Sequence, residues 1–410
     1  MQKILLFIAS LFYFNSLFAK DEIKSWQGIH ETPLSRLEQQ FADPPVEFAN
    51  HVIWGWEGKM DKKTICNDLD SIKKKGFRAV IFEAGYKLPF KYLSEEWFKA
   101  IRTGVVEAKK RDMKVWIIDE GKYPSGFAGG KFSQERPDLR MQALVIGDTI
   151  QIKRGEVMTN HKIAPEIISA VAVSTSGAPN RTVAINNGEI SFNAGLDDWK
   201  ILLVKSDFRT AVTRAVNNPN GGKDATNSLC DYLNPVAVQQ FIDWTHKQYK
   251  KYLGKELGTT VLGFRGDEPD YAHLPWTPSI VQTFKDTKGY DPTPYLASFF
   301  TASPTIQEQR VKADYWDVWS SLFATHFFKL QADWCAANGV AHITHLNKEH
   351  EMPACVKAEG DYFRALSKVQ IPGVDAIWNQ IWPSTLNDFP KLASSVAHVY
   401  GKPRAFSESF

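Results

Sequence analysis

The stretch VLGFRGDEPD, residues 261–270, is an apolar run that stops at Arg265 and at two adjacent carboxylates, Asp267 and Glu268. A short apolar run of this kind is typical of a strand in a parallel sheet whose two faces are both covered. Similar runs precede it in the chain, and they read HVIWGW at 51–56, FRAVIFEAG at 77–85 and KVWIID at 114–119. The same pattern therefore recurs at intervals along the sequence.

Helical patterns separate these strands and continue the series toward the C-terminus. Ser94 is a good N-cap for the helix that follows the second strand. Further strands are predicted to end near His345, to lie within VDAIWNQIWPS at 374–384 and to lie in KPRAFSESF at 402–410. Seven strand and helix units in order predict an α/β fold, a (β/α)8 TIM-type barrel that is incomplete at the C-terminus. A doubly wound sheet is the weaker alternative, because the sequence has no GxGxxG after the first strand and no P-loop. No nucleotide cofactor is predicted.

The alternation of strands and helices is interrupted after the third strand. Short strands separated by Gly, Asn and Ser turns predict an inserted β-rich domain at 142–227. The predicted organisation is a signal peptide, the first part of the barrel with strands 1–3, the insertion, and the second part with strands 4–7. These segments cover residues 1–19, 20–141, 142–227 and 228–410.

The N-terminus, MQKILLFIASLFYFNSLFAKDE, has one Lys, an apolar run and small residues before an expected cut after Ala19. This pattern predicts a secretory signal peptide and a periplasmic or secreted protein, and no later run predicts a stable membrane span. The 49 Lys and Arg against 46 Asp and Glu leave a net charge of +3 without charge blocks. That balance does not suggest a nucleic-acid partner.

Four cysteines are present and none is in a CxxC motif, which argues against a zinc cluster. One disulfide remains possible in an oxidising compartment. The four are Cys66, Cys230, Cys335 and Cys355.

The loops after the strands of such a barrel converge on one rim, where active sites lie. Nearly every predicted strand delivers an acid, an amide, an imidazole or an aromatic ring to that rim. Tyr123, in the Gly-rich loop DEGKYPSGFAGGKF at 119–132, joins them as a residue that could stack on a sugar, unless the loop is a purely structural turn. The candidates at the strand ends are Trp54, Trp56, Glu57, Glu83, Asp119, Glu120, Arg265, Asp267, Glu268, His345, Asn347, Trp378, Asn379 and Glu408.

Crowded acids in a partly dry pocket have their pKa values driven apart, so that one is protonated while another is ionised. Cleavage of a glycosidic bond needs such a pair. Glu268 and Glu408 lie across the predicted barrel from each other and reach further than aspartate, so we assign the catalytic pair to them. Asp267 is then an orienting or metal-binding neighbour, or else the cap of a helix after Pro269.

The segment THLNKEHE offers further metal ligands in His345, Asn347, Glu349, His350 and Glu351. Its spacing is not the helical HExxH spacing of a zinc protease. An imidazole that hydrogen-bonds a sugar hydroxyl is an equally good interpretation of this segment. If a metal is bound, the many oxygen donors favour Ca2+.

Several blocks resemble bacterial glycoside hydrolases that include the α-L-rhamnosidases acting on plant polysaccharides. They are HVIWGWEGKMDKKTICNDLDSIKKKGFRAVIFEA, DEGKYPSGFAGGKFSQERPDLR, GFRGDEPD with PWTPSIVQTFKDTKGYDPTPYL, DYWDVWSSLFATHFFKLQADWCAANGVAHITHLNKE and GKPRAFSES. The resemblance implies a (β/α)8 barrel, an inverting mechanism, often a calcium ion, and Glu268 and Glu408 as the catalytic glutamates. The chain departs from the family's Trp-His-Trp run at Trp54-Gly55-Trp56, which leaves the sugar open.

The expected function is secreted hydrolysis of a terminal sugar, α-L-rhamnose or a related one, from a plant or microbial oligosaccharide or polysaccharide. Two alternatives remain, a carbohydrate-binding barrel without catalysis and a metal-dependent hydrolase that uses the His345 region. Relatives in the resembling family are much longer, so we expect residues 1–410 to be a fragment or a truncated paralogue. As an isolated chain it should be poorly soluble and weakly active, because an unclosed barrel exposes strand edges.

Overall fold

The computed structural model describes residues 33–44, 50–215, 223–271, 273–377, 380–381, 384 and 387–409. The predicted signal peptide, Trp378 and Asn379 lie outside these residues. The central element is a sheet of seven parallel strands that follow one another in chain order. The strands are β1 (His51–Trp56), β2 (Ala79–Ala84), β3 (Lys114–Ile118), β4 (Val261–Asp267), β5 (Ala341–His345), β6 (Ile371–Ala376) and β7 (Phe406–Ser409).

The sheet is curled rather than flat. Its two outer strands, β1 and β7, line the same cavity of about 950 Å3, and residues of the strands between them complete the wall. Among the described residues β1 and β7 do not pair with each other. The α/β class is thus confirmed, as a curled parallel sheet that forms a partial barrel.

Helices connect the parallel strands and begin at caps that the sequence supplies. The Ser94 hydroxyl accepts a hydrogen bond from the Trp97 amide at 3.3 Å, and the Asn234 side chain accepts one from the Val236 amide at 3.0 Å. Both caps satisfy amides that have no partner within the helix. The helices are Leu34–Ala42, Lys62–Lys74, Glu95–Lys110, Lys131–Glu135, Pro235–Trp244, His246–Leu253, Ile280–Lys288, Ile306–Leu322, Phe323–Phe328 (a π-helix), Lys329–Ala337, Met352–Glu359, Tyr362–Leu366 and Leu392–Val399.

An antiparallel β-rich insertion follows β3, as predicted. Its main sheet has five strands, and the short strand Pro275–Trp276, which comes after β4, forms one edge of it. The domain limits given above remain predictions. The other strands in this part of the structure are Lys122–Tyr123, Gln142–Ile152, Val157–Lys162, Ile167–Ser174, Arg181–Thr182, Ile185–Asn186, Glu189–Asn193, Trp199–Phe208, Thr213–Ala215 and Lys223–Asp224.

The sixth strand begins three residues before the predicted segment, at Ile371. Its sequence IPGVDA contains a Pro-Gly pair, which reads as a turn signal. The glycine is needed in the strand, because a Cβ at Gly373 would lie 2.1 Å from the ring of Phe406 on β7. Packing between neighbouring strands therefore overrides the local turn preference.

The four cysteines are free thiols, and Cys230, Cys335 and Cys355 are buried. The possible disulfide is therefore absent from this structure. Within the described part of the chain, no helix is both long and apolar enough to cross a membrane.

Gly263 should be intolerant of any side chain, because it lies where β4 approaches β5 closely. A Cβ there would lie 1.9 Å from the Ala341 carbonyl oxygen and 2.6 Å from the Trp116 ring. We expect Gly263→Ala to lower the free energy of unfolding by about 3 kcal/mol or more, measured by chemical denaturation.

The matched control is Gly55→Ala on β1, where a Cβ would meet only a Glu83 carboxylate oxygen at 3.4 Å. Equal stability losses in the two variants would contradict the proposed closeness of β4 and β5.

Candidate active site

The candidate site lies at the carboxyl ends of the strands in the second half of the sheet. The pairing of β4 with β5 sets Asp267 opposite His345, and that of β6 with β7 sets Asp375 opposite Glu408. Glu268 follows Asp267 directly. Residues far apart in sequence thus meet at one edge, as parallel pairing predicts.

Arg265 on β4 is the cation of this site, and its side chain is 2% exposed. Its guanidinium donates to the Glu408 carboxylate and lies 3.5 Å from Asp267 Oδ1. A buried guanidinium does not lose its proton, so it needs carboxylate partners. These two acids supply the counter-charge.

His345 brings three of the predicted acids around one ring nitrogen. Its Nε2 lies 3.4 Å from Glu408 Oε2, 3.6 Å from Asp267 Oδ1 and 3.9 Å from Glu268 Oε1. Burial lowers the pKa of His345 well below its usual value, and the charge of Arg265 lowers it further. The imidazole is therefore neutral and adds no positive charge beside these carboxylates.

The two predicted catalytic glutamates lie in opposed electrostatic environments. Burial raises the pKa of Glu268 to about 9, and the charge of Asp267 adds to that rise. Burial also raises the pKa of Glu408, but Arg265 opposes the rise and the value is about 7. Their side chains stay 17% and 20% exposed, so both remain reachable from solvent.

Asp375 belongs to the site, and it is not among the residues predicted from the sequence. It is 3% exposed, and one of its carboxylate oxygens lies within 4.8 Å of ligand atoms of Glu268 and His345. The available signal was an acid inside an otherwise apolar run, IPGVDA, because a charged residue is rarely buried in a strand without a role. We missed it because the prediction placed the strand's end at Trp378.

Tyr123 and Asn347 are also brought to the site. The Asn347 side-chain amide donates to the Tyr123 hydroxyl at 3.3 Å, and that hydroxyl also hydrogen-bonds the Glu268 side chain. The Arg214 guanidinium lies 4.8 Å above the Tyr123 ring centre and covers one of its faces. Tyr123 therefore contacts the candidate acid through its hydroxyl.

Glu83 on β2 faces the interior and forms an ion pair of 2.8 Å with Lys122. Burial raises its pKa, and the charge of Lys122 opposes the rise. Asp267 and Arg265 also act on that pKa, so Glu83 lies within electrostatic reach of the central cluster. Gly55 is its partner on β1.

The two tryptophans of β1 do not face this site. Trp56 is fully buried on the outer side of the sheet, where its ring lies 4.9 Å from Phe82 and 5.7 Å from Trp97. Trp54 packs on the same group, 5.3 Å from Trp56. Side chains alternate along a strand, so the residue between them, Gly55, faces inward. We therefore withdraw the assignment of Trp54 and Trp56 to substrate binding.

The acids after β3 are occupied by the chain itself. The Glu120 carboxylate, 1% exposed, accepts hydrogen bonds from the amides of Gly121, Ala128 and Gly129 in the Gly-rich loop. Asp119 is fully buried and accepts one from the Ser125 hydroxyl at 2.7 Å. Because these contacts saturate or enclose them, we also withdraw Asp119 and Glu120 as substrate contacts.

Glu57 is exposed at the rim, and its carboxylate accepts a hydrogen bond from the Tyr86 amide at 3.1 Å. Its role in substrate binding stays a prediction. Asp267 does not cap a helix after Pro269, because the next helix of the described chain begins at Ile280. The inward face of β4 places Asp267 beside Arg265 instead.

Two groups of side chains have ligand atoms within 4.8 Å of one another and could hold a metal ion, and both include His345. Both ring nitrogens of His345 lack a hydrogen-bond partner among the described residues, so Nε2 is free to act as a ligand. The carboxylates suit Ca2+, whereas an imidazole nitrogen is not its usual ligand. The groups are Asp267, His345 and Glu408, and Glu268, His345 and Asp375.

Comparisons with known proteins show what the chain is similar to in fold and in sequence. A rhamnosidase from Novosphingobium sp. PP1Y has a similar structure, with a TM-score of 0.65 at 16% sequence identity. The match covers 92% of this chain and 53% of that one. At this identity the likeness shows the fold.

A curated protein of Formosa agariphila, named "Putative beta-glucuronidase", is 23% identical over 92% of this chain and 35% of its own length. The chain thus spans about a third of that relative and about half of the rhamnosidase structure.

A glycoside hydrolase family model described as alpha-L-rhamnosidase matches residues 159–410. The match covers more than half of the chain and includes β4 to β7 with Arg265, His345 and Glu408, as well as Glu268 directly after β4. The chain belongs to this alpha-L-rhamnosidase family of glycoside hydrolases.

Proposed function

We propose that this chain removes a terminal sugar from a plant or microbial oligosaccharide or polysaccharide, with Glu268 and Glu408 as the acid and the base. The observation that carries the proposal is the opposed surroundings of these two glutamates. Burial and the charges of Asp267 and Asp375 raise the pKa of both glutamates, but of the two Glu408 is the one that contacts the buried Arg265. A glycosidase needs this difference, because one carboxyl must give a proton while the other acts as a base.

Glu268 is the general acid in this proposal. At neutral pH its carboxyl holds a proton, because burial and the negative charges of Asp267 and Asp375 disfavour the ionised form. That proton passes to the glycosidic oxygen as the bond to the sugar breaks. The Tyr123 hydroxyl, which hydrogen-bonds the Glu268 side chain, orients the carboxyl.

Glu408 is the general base. The Arg265 guanidinium stabilises its carboxylate, so that it takes a proton from a water molecule that attacks the sugar from the opposite face. This is the inverting route that the family resemblance implies. In the retaining alternative Glu408 would instead attack the sugar directly.

The substrate we propose first is an α-L-rhamnoside, since the family model carries that description. The name of the Formosa relative makes β-glucuronides the second substrate class to test. Gly55 is the residue that bears on this choice, because it leaves inward-facing space beside Glu83 and Lys122 where the rhamnosidase pattern has a histidine.

We further propose that the seven strands are part of an eight-stranded (β/α)8 barrel. The support is the cavity that both β1 and β7 line, since a strand between them would close the sheet. The signal-peptide pattern supports secretion to the periplasm or the exterior.

A calcium ion, if bound, would take carboxylate oxygens from Asp267 or Asp375, because the proposed mechanism needs Glu268 protonated and Glu408 free as the base. It would neutralise part of the excess negative charge and bind sugar hydroxyls. With calcium held by carboxylates, the neutral His345 ring would hydrogen-bond sugar hydroxyls or neighbouring carboxylates and orient them.

Replacement of either catalytic glutamate should abolish most hydrolysis. We expect Glu268→Gln and Glu408→Gln each to lower kcat on an aryl α-L-rhamnoside by about 10³-fold, with folding retained. Glu95→Gln, at an exposed position on the helix Glu95–Lys110, should stay within about twofold of the parent. Unchanged kcat in both active-site variants would show that the catalytic assignment is wrong, whereas sugar binding without hydrolysis by the parent would favour the non-catalytic alternative. Loss of activity with a chelator and in His345→Ala, but not in Glu408→Gln, would favour the metal-dependent alternative.

The pH dependence of kcat/KM should be bell-shaped, with its maximum between about 7 and 9. Below the Glu408 pKa of about 7 the base is protonated and activity falls. Above the Glu268 pKa of about 9 the acid loses its proton and activity falls again. Initial rates across pH 5 to 10 at low substrate measure both limbs. A maximum near pH 5 would show that burial does not raise these pKa values.

Gly55 should affect sugar binding and stability in opposite directions. A strand glycine is less stable than alanine by about 0.5–1 kcal/mol, and here no positive φ requires it. We expect Gly55→Ala to keep or raise the melting temperature while it raises KM about fivefold, and Gly55→His to raise KM further for the parent's own substrate. Michaelis parameters on rhamnosides and glucuronides test this, and an unchanged KM in Gly55→His would contradict the role of this space.

A further inference from the structure

Glu268 has an unusual backbone conformation. Its φ is +37°, in the left-handed region that non-glycine residues rarely adopt. It also precedes Pro269, and a proline restricts the preceding residue toward extended conformations. Such a conformation persists only where neighbouring contacts hold it.

Ser125, in the Gly-rich loop after β3, makes those contacts at the preceding residue. The Ser125 amide donates to the Asp267 carbonyl oxygen at 2.9 Å. The Asp267 amide donates to the Ser125 hydroxyl oxygen at 2.7 Å. Two hydrogen bonds thus hold both the amide and the carbonyl group of Asp267, the residue immediately before Glu268.

Asp119 sets the direction of the Ser125 hydroxyl. A hydroxyl has one proton, and Ser125 donates it to Asp119 Oδ1 at 2.7 Å, which leaves its lone pairs for the Asp267 amide. Ser125 and Asp119 are both fully buried, so water does not compete for these bonds. The amide of Asp119 in turn donates to the Arg265 carbonyl oxygen at 3.0 Å.

The loop that carries Ser125 is itself held at two further points. Its backbone amides surround the Glu120 carboxylate, and the Tyr232 hydroxyl donates to the Ser125 carbonyl oxygen. Ser125 is therefore presented to β4 from a fixed support. Asp119 and Glu120, the two acids after β3 that do not face the site, therefore contact this loop instead.

We propose that Ser125 is a positioning residue, oriented by Asp119, that holds the backbone at Asp267 so that Glu268 keeps its left-handed conformation and faces Asp375 and His345. The inference rests on the proposed role of Glu268 as the acid. Without the hydroxyl, Glu268 relaxes to an ordinary conformation, and its carboxyl leaves the other acids for water.

The first measurement needs no substrate. Hydrogen exchange at the Asp267 amide, followed by mass spectrometry with fragmentation to single residues, should be at least tenfold faster in Ser125→Ala and in Asp119→Ala. Asp119→Asn keeps an acceptor for the Ser125 hydroxyl and should exchange within about twofold of the parent. The matched control is Ser298→Ala, because Ser298 is 1% exposed and its hydroxyl has no hydrogen-bond partner among the described residues.

The second measurement uses p-nitrophenyl α-L-rhamnoside. Ser125→Ala should lower kcat at least tenfold with KM within about twofold, and the alkaline limb of the pH profile should move to lower pH. Ser298→Ala should change neither. A general loss of structure would not move that limb selectively.

Unchanged exchange at Asp267 in Ser125→Ala and in Asp119→Ala would overturn the proposal, as would faster exchange with an unchanged kcat and pH profile. If the parent does not hydrolyse this rhamnoside or a β-glucuronide, the proposed function fails. The exchange data then still decide whether Ser125 holds β4.

Discussion

The buried charge of Arg265 is the constraint on which the site depends. A guanidinium keeps its proton at every accessible pH, so a fully buried one must lie against carboxylates. The carboxylates that it contacts, Asp267 and Glu408, come from β4 and β7, so this cation joins strands across the curl of the sheet. Its charge also separates the two glutamates, because it stabilises the ionised form of Glu408 but is not among the main influences on Glu268.

Much of the fold could be predicted from the sequence, because covered parallel strands are continuous apolar runs and helices have local caps. The stretch HVIWGW was predicted as a strand at its observed bounds, and Ser94 caps a helix as expected. The strand that contains Pro372 and Gly373 was located less well. Its pairing on both sides and the close approach of the Phe406 ring are long-range contacts that the local sequence does not record.

The same distinction applies to the candidate site: strand order was predictable from the sequence, whereas the packing of individual side chains was not. That Arg265, Glu268, His345 and Glu408 meet follows from strand order alone. The face on which a side chain lies depends on strand phase, which is why Trp54 and Trp56 pack outside the sheet. Asp119 and Glu120 hydrogen-bond the loop that follows them instead of facing the site. The spacing of residues along the chain does not predict that this loop folds back onto them.

Glu268 and Glu408 have chemically identical side chains, and in the proposed mechanism their different surroundings make one the acid and the other the base. The most direct test is a pH titration of the glutamate side-chain carboxyl carbons by 13C NMR, with Glu268→Gln and Glu408→Gln used to assign the two signals. We expect Glu408 to titrate near pH 7 and Glu268 near pH 9. Two titrations near the ordinary glutamate value of about 4.3, or a Glu408 value above that of Glu268, would contradict it.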